Sequence, residues 1–110
     1  QAEVSWQDLP EDVVLNTQQA TSLLRVVQEA VNNALKHSGS ERVEVGVDYR
    51  AGTLQVGVRD TGRGFDPEES TAGFGLRNMQ QRMEEAGGRV QVVSRKGEGT
   101  RVEIELPLMV

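Results

Sequence analysis

The chain has 110 residues, no cysteine and a formal net charge of −5, which predicts one domain with a core of its own. The acidic balance disfavours a nucleic-acid-binding surface, and the lack of cysteine excludes disulfides, thiolate metal sites and a cysteine nucleophile. No apolar run approaches the roughly 20 residues that a membrane helix needs, and the first residues lack the layout of a signal peptide. We expect a cytoplasmic domain without direct membrane contact, in a parent protein that is either soluble or membrane-anchored.

The predicted elements begin with a short strand at Ala2–Trp6 and a helix over residues 18–37. At about 100° per residue, one broad arc of that helix is apolar and consists of Leu23, Leu24, Val27, Ala30, Val31, Ala34 and Leu35. The opposite side is polar and consists of Arg25, Glu29, Asn32, Asn33 and Lys36. This pattern predicts an amphipathic helix that packs on a core through its apolar arc.

Two strands with alternating apolar residues follow over residues 43–49 and 54–59, and a second helix is predicted over residues 76–86. Gly87 and Gly88 would stop that helix, and a closing hairpin turns at residues 96–99. Adjacent hairpins favour a mixed, mostly antiparallel sheet with both helices on one face. The prediction is an α/β (α+β) two-layer sandwich that forms a single domain over residues 1–110.

Asp60 is the first candidate functional residue. Counting by two from Leu54 through Val56 and Val58 reaches Asp60, so the strand directs this carboxylate towards the apolar side. A buried carboxylate is costly unless it is hydrogen-bonded, which suggests a ligand that donates to it. In the alternative interpretation, the strand ends at Arg59 and Asp60 only begins a turn before Thr61 and Gly62; the periodicity alone leaves both interpretations open.

The polar stripe of the first helix is the second candidate. Glu29 and Asn33 are four residues apart and therefore share a face, and asparagine in mid-helix is unfavourable unless it has a task. Glu29 could act as a base, Asn33 could offer an oxygen to Mg²⁺, and Lys36 could pair with phosphate. A solvated helix face would show much the same pattern.

Two glycine-rich segments complete the candidates. Residues 73–76 (GFGL) lead into the second helix, where free N–H groups favour an anion, although a flexible connector would look similar. Residues 97–100 (GEGT) fit a hairpin turn equally well. His37, the single histidine, ends a packed helix beside Lys36, so we expect neither a phosphoacceptor nor a zinc site there.

The order and spacing of these segments resemble the ATP-binding catalytic domain of two-component sensor histidine kinases, which has the Bergerat (GHKL) fold. Residues 28–37 (QEAVNNALKH) are similar to the N box of that family, residues 60–64 (DTGRG) to its first glycine box, and residues 73–76 and 97–100 to the later ones. The ending at Lys36 and His37, together with residues 75–79 (GLRNM), resembles the nitrate-sensor and desaturase-sensor branch. Asn32 departs from that branch, which more often has a small hydroxyl residue there.

The resemblance implies the roles of the site residues. Those that it places at ATP are Asn33, Lys36, His37, Asp60, Gly62, Gly64, Phe65, Gly73, Phe74, Gly75, Leu76 and Thr100. Asp60 would accept from the adenine amino group with support from Thr100, and Gly73, Gly75 and Leu76 would form a lid over the phosphates. Glu29 would be the catalytic base. Asn33 would hold Mg²⁺, with Glu29 as a second candidate ligand.

The implied partners are ATP, a dimerisation domain that carries the phosphoacceptor histidine, and a downstream response regulator. No helix of the dimerisation type precedes Gln1, so we expect a fragment of a longer kinase. Two alternatives stay open at this point: a serine kinase of the anti-sigma-factor type with the same fold, and a non-catalytic nucleotide-binding module.

Overall fold

The computed structural model describes residues 2–6, 14–37, 42–62 and 76–108, with the backbone alone at residues 2–6, 36 and 37. The elements are β1 (Ala2–Trp6), α1 (Thr17–His37), β2 (Val43–Arg50), β3 (Thr53–Asp60), α2 (Leu76–Glu85), β4 (Arg89–Arg95) and β5 (Gly99–Pro107). Their order is the predicted one, and their bounds lie close to the predicted bounds.

The five strands form one sheet in the order β1-β2-β3-β5-β4. β1 is parallel to β2, and the remaining pairs are antiparallel. Apolar residues stand opposite each other across the central strands, since Val58 pairs with both Val45 and Val102. Each such side chain contributes roughly 1.5–3 kcal/mol when it is fully buried. The predicted mixed, mostly antiparallel sheet is confirmed.

Both helices cover the same face of this sheet. α1 packs on β2 and β3, whereas α2 packs on β4 and against α1. The core between the layers contains Val26, Ala30 and Ala34 from α1, Met79 and Met83 from α2, and the apolar residues of the strands. Residues that alternate with those apolar positions, such as Gln55, Arg59 and Arg101, are exposed. The two-layer sandwich is therefore confirmed, with one face of the sheet uncovered by either helix.

The buried face of α1 differs from the predicted apolar arc. Leu24 and Leu35 are 59% and 46% exposed, whereas Val26 is fully buried and Asn33 is only 3% exposed. The helix is rotated about its axis so that part of its polar stripe faces the interior, and two leucines of the apolar arc face outwards. No helix in the described part of the chain is long and apolar enough to cross a membrane.

The start of α1 and the end of α2 have defined caps. At the start of α1, Asn16 Oδ1 accepts the N–H of Gln19 at 2.7 Å, and Gln19 Oε1 accepts the N–H of Asn16 at 2.9 Å; this is a reciprocal capping box. At the end of α2, Gly88 N–H donates to Met83 O and Gly87 N–H donates to Glu84 O, which is a Schellman motif. The predicted glycine stop is confirmed.

Candidate functional site

Asp60 is the last residue of β3, and its side chain lies on the core side of the sheet. Its position is 6% exposed, and its neighbours across the sheet are Val43 on β2 and Thr100 on β5. Its Oδ1 accepts the N–H of Gly62 at 2.9 Å, so the residue also begins a turn. The strand extends through Asp60, one residue beyond the end at Arg59 that the alternative predicted. The carboxylate is buried by strand phase, and its turn hydrogen bond to Gly62 lessens the cost of that burial.

The Asp60 carboxylate has acceptor capacity beyond this bond. An ionised carboxylate offers about four lone-pair positions, and the Gly62 N–H occupies one of them. The group is an acceptor only, so a ligand that meets it has to donate. An amino group meets this requirement.

Two buried hydroxyl groups, those of Thr100 and Ser94, follow Asp60 across the sheet. Ser94 on β4 pairs with Thr100 on β5, and their hydroxyl oxygens are 2.8 Å apart. Ser94 Oγ also donates to Gly99 O at 3.2 Å. Ser94 was not among the predicted site residues, although the alternation of Val90 and Val92 along β4 predicts that its side chain also faces the core.

Gly99 brings β5 close to the end of β3. Its φ is +90°, and a Cβ added there would overlap Asp60 O and lie 2.9 Å from Thr61 Cα. Only a residue without a side chain fits this approach, which sets Thr100 directly beside Asp60. The segment 97–100 is therefore a hairpin turn, as one interpretation proposed, and it also shapes the site.

We expect Gly99→Ala to lower the free energy of unfolding by about 2–5 kcal/mol, because positive φ and overlap with the neighbouring backbone act together. Gly97 supplies a matched control: its φ is +81°, and no atom lies within 4 Å of an added Cβ. Gly97→Ala should cost only the backbone strain, about 1–2 kcal/mol. Urea denaturation of both variants measures the difference, and equal losses would show that the close approach at Gly99 is unimportant.

The C-terminal half of α1 lies at the same end of the molecule as Asp60. His37 ends α1, and Val43, the partner of Asp60, follows six residues later. Six residues span at most about 20 Å, so the C-terminus of α1 lies within that distance of Val43. The helix itself is about 31 Å long, because it has 21 residues, so its N-terminus lies farther from Asp60. The structure turns Asn33 inwards at this end and leaves Glu29 half-buried. The backbones of Lys36 and Glu29 lie in the same helix, but the side chains of Lys36 and His37 are outside the described part.

Glu29 lines a polar cavity of about 500 Å³ between α1 and α2. Arg25, Glu29 and Asn32 contribute from α1, and Asn78 and Arg82 contribute from α2. A carboxylate and two guanidinium groups in one cleft can both hold an anion and accept a proton. The cavity therefore has the polar groups that a phosphate-bearing ligand requires.

A second cavity, of about 370 Å³, lies across the ends of β3, β4 and β5. Asp60 and Thr100 line it from the core-facing side of the sheet, and Arg59 and Arg101 line it from the other side. The end of the sheet at Asp60 is therefore open to a ligand.

The start of α2 also points to this end of the sheet. α2 precedes β4 by a short turn, and β4 runs from Arg89, paired with Glu105, to Arg95, paired with Gly99. The C-terminus of α2 is thus at the far end and Leu76, its first residue, is towards Asp60. Leu76 is half-buried against the core, and the first turn of such a helix presents unpaired N–H groups.

The remaining predicted site residues lie outside the described residues: Gly64, Phe65, Gly73, Phe74 and Gly75. Among the described residues, Asp60 and Thr100 are neighbours at the end of the sheet and line one cavity, whereas Glu29 lines a separate cavity between α1 and α2.

Comparison with known proteins decides the family. Residues 18–110 match the model of the "Histidine kinase-, DNA gyrase B-, and HSP90-like ATPase" family. The chain belongs to this family. Membership of this ATPase family implies that the domain binds ATP.

The similar proteins are sensor histidine kinases. The domain is 38% identical over 102 residues to the signal transduction histidine-protein kinase/phosphatase DegS of Bacillus subtilis, covering 89% of this chain and 26% of DegS. It is 37% identical over 87 residues to the sensor histidine kinase LiaS of the same organism, covering 78% of this chain and 24% of LiaS. The chain thus spans about a quarter of the length of these relatives. It is an ATPase domain of the sensor-histidine-kinase type.

Solved structures agree on the fold. The blue-light activated histidine kinase of Erythrobacter litoralis aligns with a TM-score of 0.76 at 28% identity over 97% of this chain and 35% of that chain. The ATP-binding domain of PrrB from Mycobacterium tuberculosis aligns with a TM-score of 0.77 at 23% identity over 99% of this chain and 82% of that domain. The fold of the chain is therefore that of histidine-kinase ATP-binding domains.

Proposed function

We propose that this domain is the catalytic part of a two-component sensor histidine kinase. It binds Mg-ATP and transfers the γ-phosphoryl group to a histidine on a separate dimerisation domain of its parent protein. One observation carries the proposal: Asp60, a buried carboxylate with spare acceptor capacity, stands beside Thr100 at the open end of the sheet, in a chain whose relatives are sensor histidine kinases.

The adenine end of the site lies at Asp60. Its carboxylate accepts a hydrogen bond from the amino group of the base, and Thr100 assists beside it. Gly62, half-buried and bonded to Asp60, lets the base approach the backbone, and Gly64 and Phe65 extend the same segment. A charge-assisted hydrogen bond of this kind contributes about 1.5–3 kcal/mol.

The phosphate end lies along α1 and at the start of α2. Asn33 would supply an amide oxygen for Mg²⁺, with Glu29 as the second candidate ligand, since Mg²⁺ prefers oxygen donors. When bound, Mg²⁺ would neutralise phosphate charge. Lys36 pairs with phosphate, His37 borders the nucleotide, and the segment Gly73, Phe74, Gly75 and Leu76 covers the phosphates with its N–H groups.

Glu29 is the base of the transfer step. A ring nitrogen of the acceptor histidine attacks the γ-phosphorus while the bond to the β–γ bridging oxygen breaks, and ADP leaves with that electron pair. Glu29 takes the proton of the attacking imidazole. Alignment of the reactants and neutralisation of charge supply most of the acceleration, as in other phosphoryl transfers.

The finer assignment follows the branch-specific residues. Lys36, His37 and residues 75–79 support an assignment to the nitrate-sensor and desaturase-sensor kinases, in which a response regulator would receive the phosphoryl group from the acceptor histidine. Residues 1–110 form one domain, which acts in the cytoplasm without touching nucleic acid or membrane.

The test is a phosphotransfer assay with the full chain, the helical acceptor domain of its parent and γ-labelled ATP. We expect labelled protein whose phosphate is lost in acid and retained in alkali, which is typical of phosphohistidine. Acid-stable label on serine would instead support the anti-sigma-factor type of kinase. ATP binding without any transfer would support the non-catalytic module.

A further inference from the structure

Ser94 is buried at the same end of the sheet as Asp60, and its hydroxyl contacts that of Thr100. The three residues stand side by side on adjacent strands, with Asp60 paired to Thr100 and Thr100 paired to Ser94. All three are among the few buried polar side chains of the described residues. Ser94 also lines the cavity that Asp60 and Thr100 line, and its contact with Thr100 lets it influence the hydroxyl of Asp60's neighbour.

Two hydrogen bonds of Ser94 favour one direction for the hydroxyl pair. A backbone carbonyl cannot donate, so the bond between Ser94 Oγ and Gly99 O uses the single hydroxyl proton of Ser94. The 2.8 Å contact between the two hydroxyl oxygens then needs the proton of Thr100. In this arrangement the Thr100 hydroxyl donates to Ser94 and keeps lone-pair capacity to accept from a ligand.

We propose that Ser94 is a positioning residue that makes the site selective for a 6-amino purine over a 6-oxo purine. This inference rests on the proposed function, namely that Asp60 and Thr100 meet the base. With Thr100 held as an acceptor, the site offers two acceptors to the 6-position. An amino group supplies a donor, either directly or through one water that accepts from it and donates to both side chains.

A 6-oxo purine meets this arrangement poorly. Its carbonyl oxygen is itself an acceptor, so it faces the Asp60 carboxylate and the Thr100 lone pair without a proton between them. Leaving a buried acceptor without a donor costs more binding free energy than one formed hydrogen bond contributes. Without Ser94, the Thr100 hydroxyl can rotate and donate to that carbonyl, which relieves part of the penalty.

The experiment compares the affinities of ATP and ITP in the presence of Mg²⁺ by calorimetry. The hypoxanthine base of ITP lacks the 2-amino group of guanine, so the comparison isolates the 6-position and the adjoining ring nitrogen. We expect the wild-type chain to prefer ATP and Ser94→Ala to reduce the ratio of the two dissociation constants by about tenfold, equivalent to one hydrogen bond. Ser94→Thr, which keeps the hydroxyl, should restore the ratio.

A second pair of variants separates orientation from packing. In a Thr100→Val background no hydroxyl is left to orient, so adding Ser94→Ala should leave the ratio unchanged within about twofold. Ser94→Cys carries the test if Ser94→Ala does not fold, because a thiol is a weak acceptor and should shift the ratio in the same direction.

The results of these experiments separate the inference from the proposed function. An unchanged ratio in folded Ser94→Ala would overturn the inference, as would an equal effect of Ser94→Ala in the Thr100→Val background. A wild-type chain that binds neither nucleotide would instead overturn the proposed function. A chain that binds ATP through Asp60 but shows no ATP preference would overturn the selectivity alone.

Discussion

Asp60→Asn should weaken ATP binding by about 10- to 100-fold, the equivalent of losing one charge-assisted hydrogen bond. The amide is nearly isosteric, and its oxygen can still accept the N–H of Gly62, which Asp60 Oδ1 accepts at 2.9 Å. Its NH₂ group then takes the place of the second carboxylate oxygen and presents protons to the amino group of the base. The fold should persist while recognition fails, and calorimetric titration with Mg-ATP measures the change.

Asp48 provides the matched control for this substitution. It lies on β2, where its Oδ1 accepts the N–H of Tyr49 at 2.8 Å and its Oδ2 lies 3.0 Å from Arg50 Nε. Asp48→Asn removes the same charge from the same sheet, away from the proposed site, so ATP affinity should stay within about twofold of the wild-type value. The fold should also persist, since a surface ion pair contributes little to stability. Equal effects of the two variants would show that Asp60 has no special part in binding.

Glu29→Gln should reduce the rate of phosphohistidine formation by about 10²–10⁴-fold, the usual contribution of a general base. The amide keeps the size of the side chain and its place in the cavity with Arg25 and Arg82, but it cannot take the proton of the attacking imidazole. ATP affinity should change by less than about threefold, since Asp60 and the phosphate contacts remain. Initial rates at saturating ATP, with the parent's acceptor domain in excess, separate the two effects.

Glu85→Gln is the corresponding control on α2, where Glu85 is exposed at the end of the helix. It removes an equal charge from a helix surface outside the cavity, and transfer should proceed at the wild-type rate. A Glu29→Gln variant that transfers as fast as this control would remove Glu29 from the mechanism. A variant that no longer binds ATP would make it a metal or nucleotide ligand in place of a base.

The sequence predicted the sheet more accurately than it predicted the orientation of α1. Strand periodicity is strict, so Val45, Val58 and Val102 were bound to share a face once each strand formed. A helix has a continuous choice of rotation about its axis, and its apolar arc indicates the buried side only when no polar residue has to face inwards. Asn33 does face inwards, and Leu24 and Leu35 are exposed as a result.

The site was predictable where one element alone decided the geometry. Strand phase sufficed for the burial of Asp60, and it would have sufficed for Ser94 on β4. The close approach of Gly99 to Asp60 depends on the register between β3 and β5, which no local pattern contains. The same is true of the cleft between Glu29 and Arg82, because helix packing brings them together.

The most direct test of the ATP site is a titration of the ¹⁵N-labelled chain with Mg-ATP, followed by amide chemical shifts. We expect the largest shifts at Asp60, Gly62 and Thr100 and along α1 from Glu29 to Asn33. Gly46 and Gly57, paired on the face of the sheet that neither helix covers, should move little. Shifts confined to that uncovered face, or no shifts at millimolar ATP, would contradict a nucleotide site at the Asp60 end of the sheet.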